Sequence, residues 1–272
     1  MIVKDFSTFL DDKGEVPLTE RMRATIKYGS NWYTDIQSQE LVIDRLQSAL
    51  DDDFILLRNF HLPGLEVPIP VTLVGPSGIQ VIYTSSVKGI YQAKGELWLA
   101  MGSGARRFRE AKPNLINRCI LLAQAVSRHL ERFDYGSTSV DAVNVFTDPG
   151  IHVDTKKPAT RIVMIDALDR YIAKLSTEAS VLSVETVQKV VDVLVNPPAP
   201  EFGDTYDPVG GQELEAAFAT TTTASGVNVT EVKIPGGGSV RFSNRQWIVL
   251  GALLLANVLV LVFLLLIVLF YV

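Results

Sequence analysis

The residues most able to do chemistry form a short basic stretch in the middle of the chain. It follows Gly102-Ser103-Gly104 and contains four cations, Arg106, Arg107, Arg109 and Lys112. Because clustered cations attract phosphate groups, this stretch could contact a nucleic-acid backbone or anionic lipid headgroups. It lacks the Lys-Ser/Thr ending of a phosphate-binding loop, and a solvated surface loop is the competing interpretation.

Other reactive residue types are few and scattered. The chain has one cysteine, Cys119, and three histidines, His61, His129 and His152, without the spacing of metal ligands. A lone cysteine excludes an intramolecular disulfide, and this histidine spacing predicts no structural zinc. The sequence contains no nucleophile elbow, HExxH motif or dinucleotide-binding fingerprint. We therefore expect no bound metal and no cofactor.

Length and charge limit the classes of function further. The 272 residues leave room for one domain of roughly 190 residues plus attachments. A net charge of -5 argues against a protein whose whole surface holds nucleic acid, because phosphate binding needs a basic face. A local basic patch remains compatible with this charge.

Apolar periodicity predicts the elements that must position these residues. The Gly75-Pro76-Ser77-Gly78 stretch predicts a hairpin turn, and the run over 88–100 is expected to pair with that hairpin. Helix, sheet, helix, strand and helix in this order predict an α/β sandwich, a mixed sheet flanked by helices on both faces. The expected helices cover 34–50, 115–132, 168–175 and 184–194, and the expected strands cover 54–60, 67–74, 79–84, 140–146 and 161–165.

Four of these segments resemble a known family. They are Glu40-Leu41-Val42-Ile43 on the first helix, Asp53-Phe54-Ile55-Leu56-Leu57 on the first strand, Val74 to Ile82 around the hairpin, and Val143-Asn144-Val145-Phe146 on the later strand. Together they resemble the nuclease-related domain (NERD) family, whose fold is the restriction-endonuclease-like α/β sandwich. The resemblance implies this fold for residues 34–195, and the hairpin is its most specific part.

The resemblance also implies where nuclease chemistry would lie. The family needs a carboxylate on the strand before the turn and an acidic-x-Lys pair after it, because paired carboxylates hold a divalent metal that activates water. In this sequence those three positions fall at Pro70, Tyr83 and Ser85, none of which is a carboxylate or a lysine. Glu40 is the one acid at a matching position. The resemblance therefore implies a degenerate nuclease site and a domain that binds rather than cleaves.

A rearranged catalytic site is the alternative. Glu66 precedes Pro70 by a few residues and could join Glu40 in a metal-dependent nucleic-acid hydrolase if the strand shifted its register. A shift by an odd number of residues would turn the apolar face of the strand outward. The sequence leaves this alternative open.

The C-terminal stretch from Trp247 to Val272 contains no acidic or basic residue and consists almost entirely of Leu, Val and Ile. As a helix it would measure about 39 Å, enough to cross the roughly 30 Å hydrocarbon core of a bilayer with some tilt. Trp247 and Tyr271 are suited to the two membrane interfaces. The sequence thus predicts a single transmembrane helix, in which Asn257 could mark a contact for self-association.

Charge predicts the orientation of this helix. Arg245 lies just before the apolar stretch, and no basic residue follows it, so the positive-inside rule places the N-terminal domain in the cytoplasm. Residues 196–246 are rich in Pro, Gly and Thr and predict a flexible linker with one helical turn near Gln212 to Phe218, while 1–33 form a loosely patterned N-terminal arm. We expect a tail-anchored protein that uses its NERD-like domain as a binding or scaffold module for an unidentified protein partner.

Overall fold

The computed structural model describes residues 1–8, 16–17, 19, 32–102, 107–198 and 211–219. The strands are β1 (Ile2–Asp5), β2 (Ile55–Phe60), β3 (Ile69–Gly75), β4 (Gly78–Ser85), β5 (Gly89–Gly95), β6 (Leu97–Met101), β7 (Phe108–Glu110), β8 (Val140–Phe146), β9 (Ile151–Pro158) and β10 (Arg161–Met164). The helices are α1 (Trp32–Ala49), α2 (Leu115–Glu131), α3 (Leu168–Thr177), α4 (Val184–Val195) and α5 (Gly211–Ala219), and a short 3₁₀ helix spans Ile165–Ala167.

The larger sheet has the strand order β1-β2-β3-β4-β8-β10. Strand β3 is antiparallel to both of its neighbours, and every other neighbouring pair in this sheet is parallel. Strands β1, β2, β4, β8 and β10 therefore run in one direction, and their carboxyl ends lie along the same edge of the sheet. Ligands of open α/β sheets bind in the crevice outside this edge.

The predicted hairpin is confirmed as β3 and β4, with Gly75 paired opposite Gly78 and Pro76-Ser77 at the turn. Gly78 has a φ of 116°, which residues with a Cβ rarely adopt. A Cβ on Gly75 would lie 2.1 Å from the ring of Phe54. The two glycines therefore satisfy different demands, since one permits the backbone angle and the other permits close packing.

The larger sheet is covered on both faces, as the sequence predicted. One face packs against α1 and α3 through residues such as Leu46 and Ile172, and the other packs against α2, α4 and α5 through residues such as Val126, Val190 and Leu214. The mixed α/β architecture with helices flanking the sheet is confirmed. Helices α1 to α4 lie within a few residues of their predicted bounds.

One pairing prediction was wrong. Residues 88–100 do not pair with the β3–β4 hairpin but form most of β5 and β6, which belong to a second sheet of order β7-β6-β5-β9. Gly95, with a φ of 54°, turns the chain between β5 and β6, and β4 is already paired with β3 and β8. Trp98 is stacked between Tyr91 and Phe146 at centroid distances of 4.6 and 5.1 Å, and so packs the second sheet onto β8.

Two segments outside the predicted 34–195 domain also contribute to the folded domain. The predicted N-terminal arm contains β1, which adds a parallel edge strand to β2. The helical turn expected near Gln212 is confirmed as α5, and the side chain of Leu214 is almost completely buried. Residues 211–219 of the predicted linker are therefore packed on the domain. The rest of that linker is largely outside the described residues.

No helix within the described residues is both long and apolar enough to cross a membrane. The predicted transmembrane helix at 247–272 and its interface residues Arg245, Trp247 and Tyr271 lie outside the described part of the chain.

Candidate functional site

Polar side chains from several elements lie at the carboxyl edge of the larger sheet. Helix α1 begins there, because the hydroxyls of Ser38 and Thr147 lie 2.8 Å apart and Thr147 directly follows β8. Helix α2 also begins there, because the amide of Asn144 on β8 donates to the carbonyl oxygen of Leu115 at 3.0 Å. Two helix starts and five strand ends thus meet at one edge, where we place the candidate functional site.

A buried arginine organises the first half of this site. Arg58 lies on β2 with 8% of its side chain exposed, and its guanidinium donates to Asp5 Oδ2 at 3.2 Å and to Glu40 Oε1 at 3.3 Å. Its Nε donates to the side-chain oxygen of Gln39 at 3.4 Å. We call Asp5, Gln39, Glu40 and Arg58 the Arg58 cluster.

Asn59, which follows Arg58 on β2, has an unusual backbone conformation. Asn59 has a φ of 51°, a left-handed conformation that asparagine tolerates better than most residues. Its amide donates to the hydroxyl of Ser7 at 2.8 Å and shares the Gln39 oxygen at 3.4 Å. These bonds tie the loop after β1 and helix α1 to β2, beside the Arg58 cluster.

The second half of the site is built around Arg118 of α2, which is 3% exposed. Arg118 donates to the hydroxyl of Tyr83 at 3.4 Å, to the carbonyl oxygen of Ala217 at 2.9 Å and to that of Phe218 at 3.5 Å. Its guanidinium carbon lies 4.6 Å from the centre of the Phe218 ring. Arg118 therefore joins β4 to the C-terminal end of α5.

Asp35 supplies an acid next to Arg118 and Tyr83. Burial raises the pKa of Asp35 from 3.8 to about 7, and the positive charge of Arg118 offsets part of that rise. Burial also raises the pKa of Tyr83, again partly offset by Arg118. A carboxyl group with a pKa near 7 can exchange a proton at neutral pH.

The three positions at which the NERD resemblance implies catalytic groups all lie on β3 and β4. Pro70 is half-buried on β3, Tyr83 contacts Arg118, and Ser85 is buried at the end of β4. Ser85 contributes its backbone carbonyl, which accepts a bond from the backbone N–H of Thr147 at 3.0 Å. These residues thus take part in packing and hydrogen bonding at the carboxyl edge.

The two glutamates of the alternative site differ in their surroundings. Glu40 is ion-paired with Arg58, whereas Glu66 is an exposed residue of the loop between β2 and β3. Among the described residues, no group of three or more His, Cys, Asp or Glu side chains is placed to hold a metal ion.

The basic stretch lies on and around β7 of the second sheet, whereas the Arg58 cluster is formed by β1, β2 and α1. Arg107 and Arg109 are exposed, and Arg109 lies on β7 opposite Ala100. Lys112 is exposed and lines a cavity of about 230 Å³ together with Trp98, Asn117 and Ala217 of α5. Arg106 lies outside the described residues.

Three important residues of the site were missed by sequence reasoning. Arg58 and Arg118 each carry a charge within an otherwise apolar stretch, and such a misplaced charge is a signal that could have identified both. Asp35 gave no signal, because an acid in the first turn of a helix is common.

Comparison with known proteins gave no match, since no family model, no curated protein and no solved structure matches this chain.

Proposed function

We propose that this chain is a binding module and not a metal-dependent nuclease, with a NERD-like α/β domain held at the cytoplasmic face of a membrane. The observation that carries this proposal is the Arg58 cluster. Two carboxylates at the carboxyl edge, Asp5 and Glu40, both accept hydrogen bonds from one buried guanidinium. Because Arg58 bonds to one oxygen of each acid, a divalent metal that used both acids would have to compete with a buried cation.

The order of elements supports the NERD-like part of the proposal. Helix α1, the antiparallel strands β2 to β4, helix α2 and the parallel strand β8 follow each other as the resemblance implies. Pro70, Tyr83 and Ser85 occupy the strand positions where that family needs two acids and a lysine. The same frame without the acidic groups favours recognition over hydrolysis.

The membrane anchor rests on the apolar composition of 247–272 and on the preceding Arg245. Removing residues 247–272 should move the protein from the membrane pellet to the supernatant after alkaline extraction. If alkaline extraction already releases the full-length chain into the supernatant, the proposed membrane anchor is wrong.

Cleavage assays test the proposed lack of nuclease activity. The full-length chain in detergent should leave DNA and RNA intact in the presence of Mg²⁺ or Mn²⁺, because the acids needed to hold the metal are absent or ion-paired. The matched control is the Glu40→Ala, Glu66→Ala double variant. Metal-dependent cleavage by the wild type that the double variant lacks would establish the rearranged hydrolase instead.

A further inference from the structure

Helix α5 packs on a surface formed by α2 and by Tyr83 of β4, and we call this surface the groove. Leu214 is 1% exposed and packs with the cluster that includes Leu122 and Val126 of α2. Phe218, four residues later, lies edge-on to Tyr83 at 6.1 Å. Residues four apart lie on the same face of a helix, so two anchors on one face of α5 enter the groove.

Arg118 binds the C-terminal end of this helix. Its guanidinium donates to the carbonyl oxygens of Ala217 and Phe218, which belong to the last turn of α5. The last carbonyls of a helix lack partners within the helix and carry the negative end of its dipole, so a buried cation complements them. The groove therefore selects the position at which a helix ends as well as its apolar face.

Helix α5 has little stability of its own. It spans nine residues, and helices shorter than about 12 residues are marginal in water without tertiary contacts. Its order depends on the groove, and a second helix that presents the same groups would compete for the same contacts.

We propose that the groove filled by α5 is the partner-binding surface of this module, and that the partner presents a short amphipathic helix with an aliphatic and an aromatic residue four positions apart. The partner helix ends one residue after its aromatic residue, as α5 does, so that carbonyls of its last turn accept from Arg118. Helix α5 is then a tethered occupant that a partner displaces. This inference names the partner class of the binding module proposed above and rests on that function.

A synthetic peptide with the sequence of residues 208–222 is the probe. The acceptor is the full-length chain in detergent with Leu214→Ala and Phe218→Ala, which keeps Arg118 and the groove but removes both anchors of α5. Fluorescence anisotropy of the labelled peptide should show saturable binding to this acceptor. Binding to the wild type should be at least about 10-fold weaker, because the tethered α5 competes at high effective concentration.

Two matched controls decide whether the groove is used. A peptide carrying Phe218→Ala should bind the acceptor about 30-fold more weakly, the effect of removing an aromatic anchor from an interface. Adding Arg118→Gln to the acceptor should weaken the wild-type peptide, while circular dichroism reports whether that chain still folds. The proposal would be overturned if neither substitution changed the affinity of the peptide for the acceptor. It would also be overturned if the peptide did not bind the acceptor.

The same protein variants and peptides distinguish this proposal from dimerisation and from the lack of nuclease activity. A wild-type dimer that is lost in the Leu214→Ala, Phe218→Ala chain would assign the groove to α5 of a second copy and contradict a separate partner helix. Failure of the peptide to bind would leave the cleavage assay unaffected, so the two proposals fail independently.

Discussion

Replacing Asp5 by Asn and Glu40 by Gln together should lower the free energy of unfolding by about 3 kcal/mol. The double change leaves the guanidinium of Arg58, 8% exposed, without a counter-charge in the protein interior. We expect the lower end of the range for broken buried ion pairs, because Glu40 is 43% exposed and water reaches this side of the cluster. Denaturation by urea, followed by tryptophan fluorescence of the chain in detergent, measures the loss.

A third substitution makes this prediction specific. Adding Arg58→Met to the double variant removes the unpaired cation and should restore most of the lost stability, since an apolar side chain suits a buried position better than an uncompensated charge. Asp169→Asn breaks an exposed pair with Arg45 and should change stability by less than about 0.5 kcal/mol. A triple variant no more stable than the double variant would show that the acids have a role other than neutralising Arg58.

Asp35 should make the domain less stable as pH rises through neutrality. Its pKa is raised from 3.8 to about 7 in the folded state, so between these values the folded chain binds a proton that the unfolded chain has lost. Stability from this group is therefore complete below about pH 4 and declines up to about pH 7. The shift corresponds to a loss of up to about 4 kcal/mol.

The Asp35→Asn variant isolates this contribution, because the amide resembles the protonated acid and does not ionise. Its unfolding free energy should match that of the wild type near pH 4 and exceed it by up to about 4 kcal/mol above pH 7. Denaturation curves for both chains at intervals from pH 4 to pH 8 provide the measurement. A constant difference between the two chains across this range would contradict the raised pKa.

Local pattern predicted the elements of the larger sheet well and the pairing of strands less well. Helices 115–132 and 184–194 and the Gly75–Gly78 hairpin follow from periodicity and turn chemistry, which are properties of neighbouring residues. The second sheet does not follow from them, because Gly95 resembles any other glycine until its φ of 54° and the pairing of β5 with β9 are known. Strand β1 is four residues long and gains its order from β2, so its own sequence carries little signal.

The central charged groups at the carboxyl edge were not predicted from the sequence. The resemblance to the NERD family directed attention to Pro70, Tyr83 and Ser85, and the structure places Tyr83 beside Arg118. The sequence alone could not indicate that Arg58 contacts both Glu40 and Asp5, because these residues are far apart in the chain. The docking of α5 on Arg118 likewise depends on contacts about 100 residues apart in sequence.

Manganese binding tests the central claim most directly. Isothermal titration of Mn²⁺ into the full-length chain in detergent should give no saturable heat, because a hard dication held by Asp5 and Glu40 would have to compete with the buried Arg58 guanidinium, which already bonds to one oxygen of each acid. Saturable binding of Mn²⁺ with a stoichiometry near one, lost in the Glu40→Gln variant, would contradict the account and place a metal centre at the carboxyl edge of the sheet.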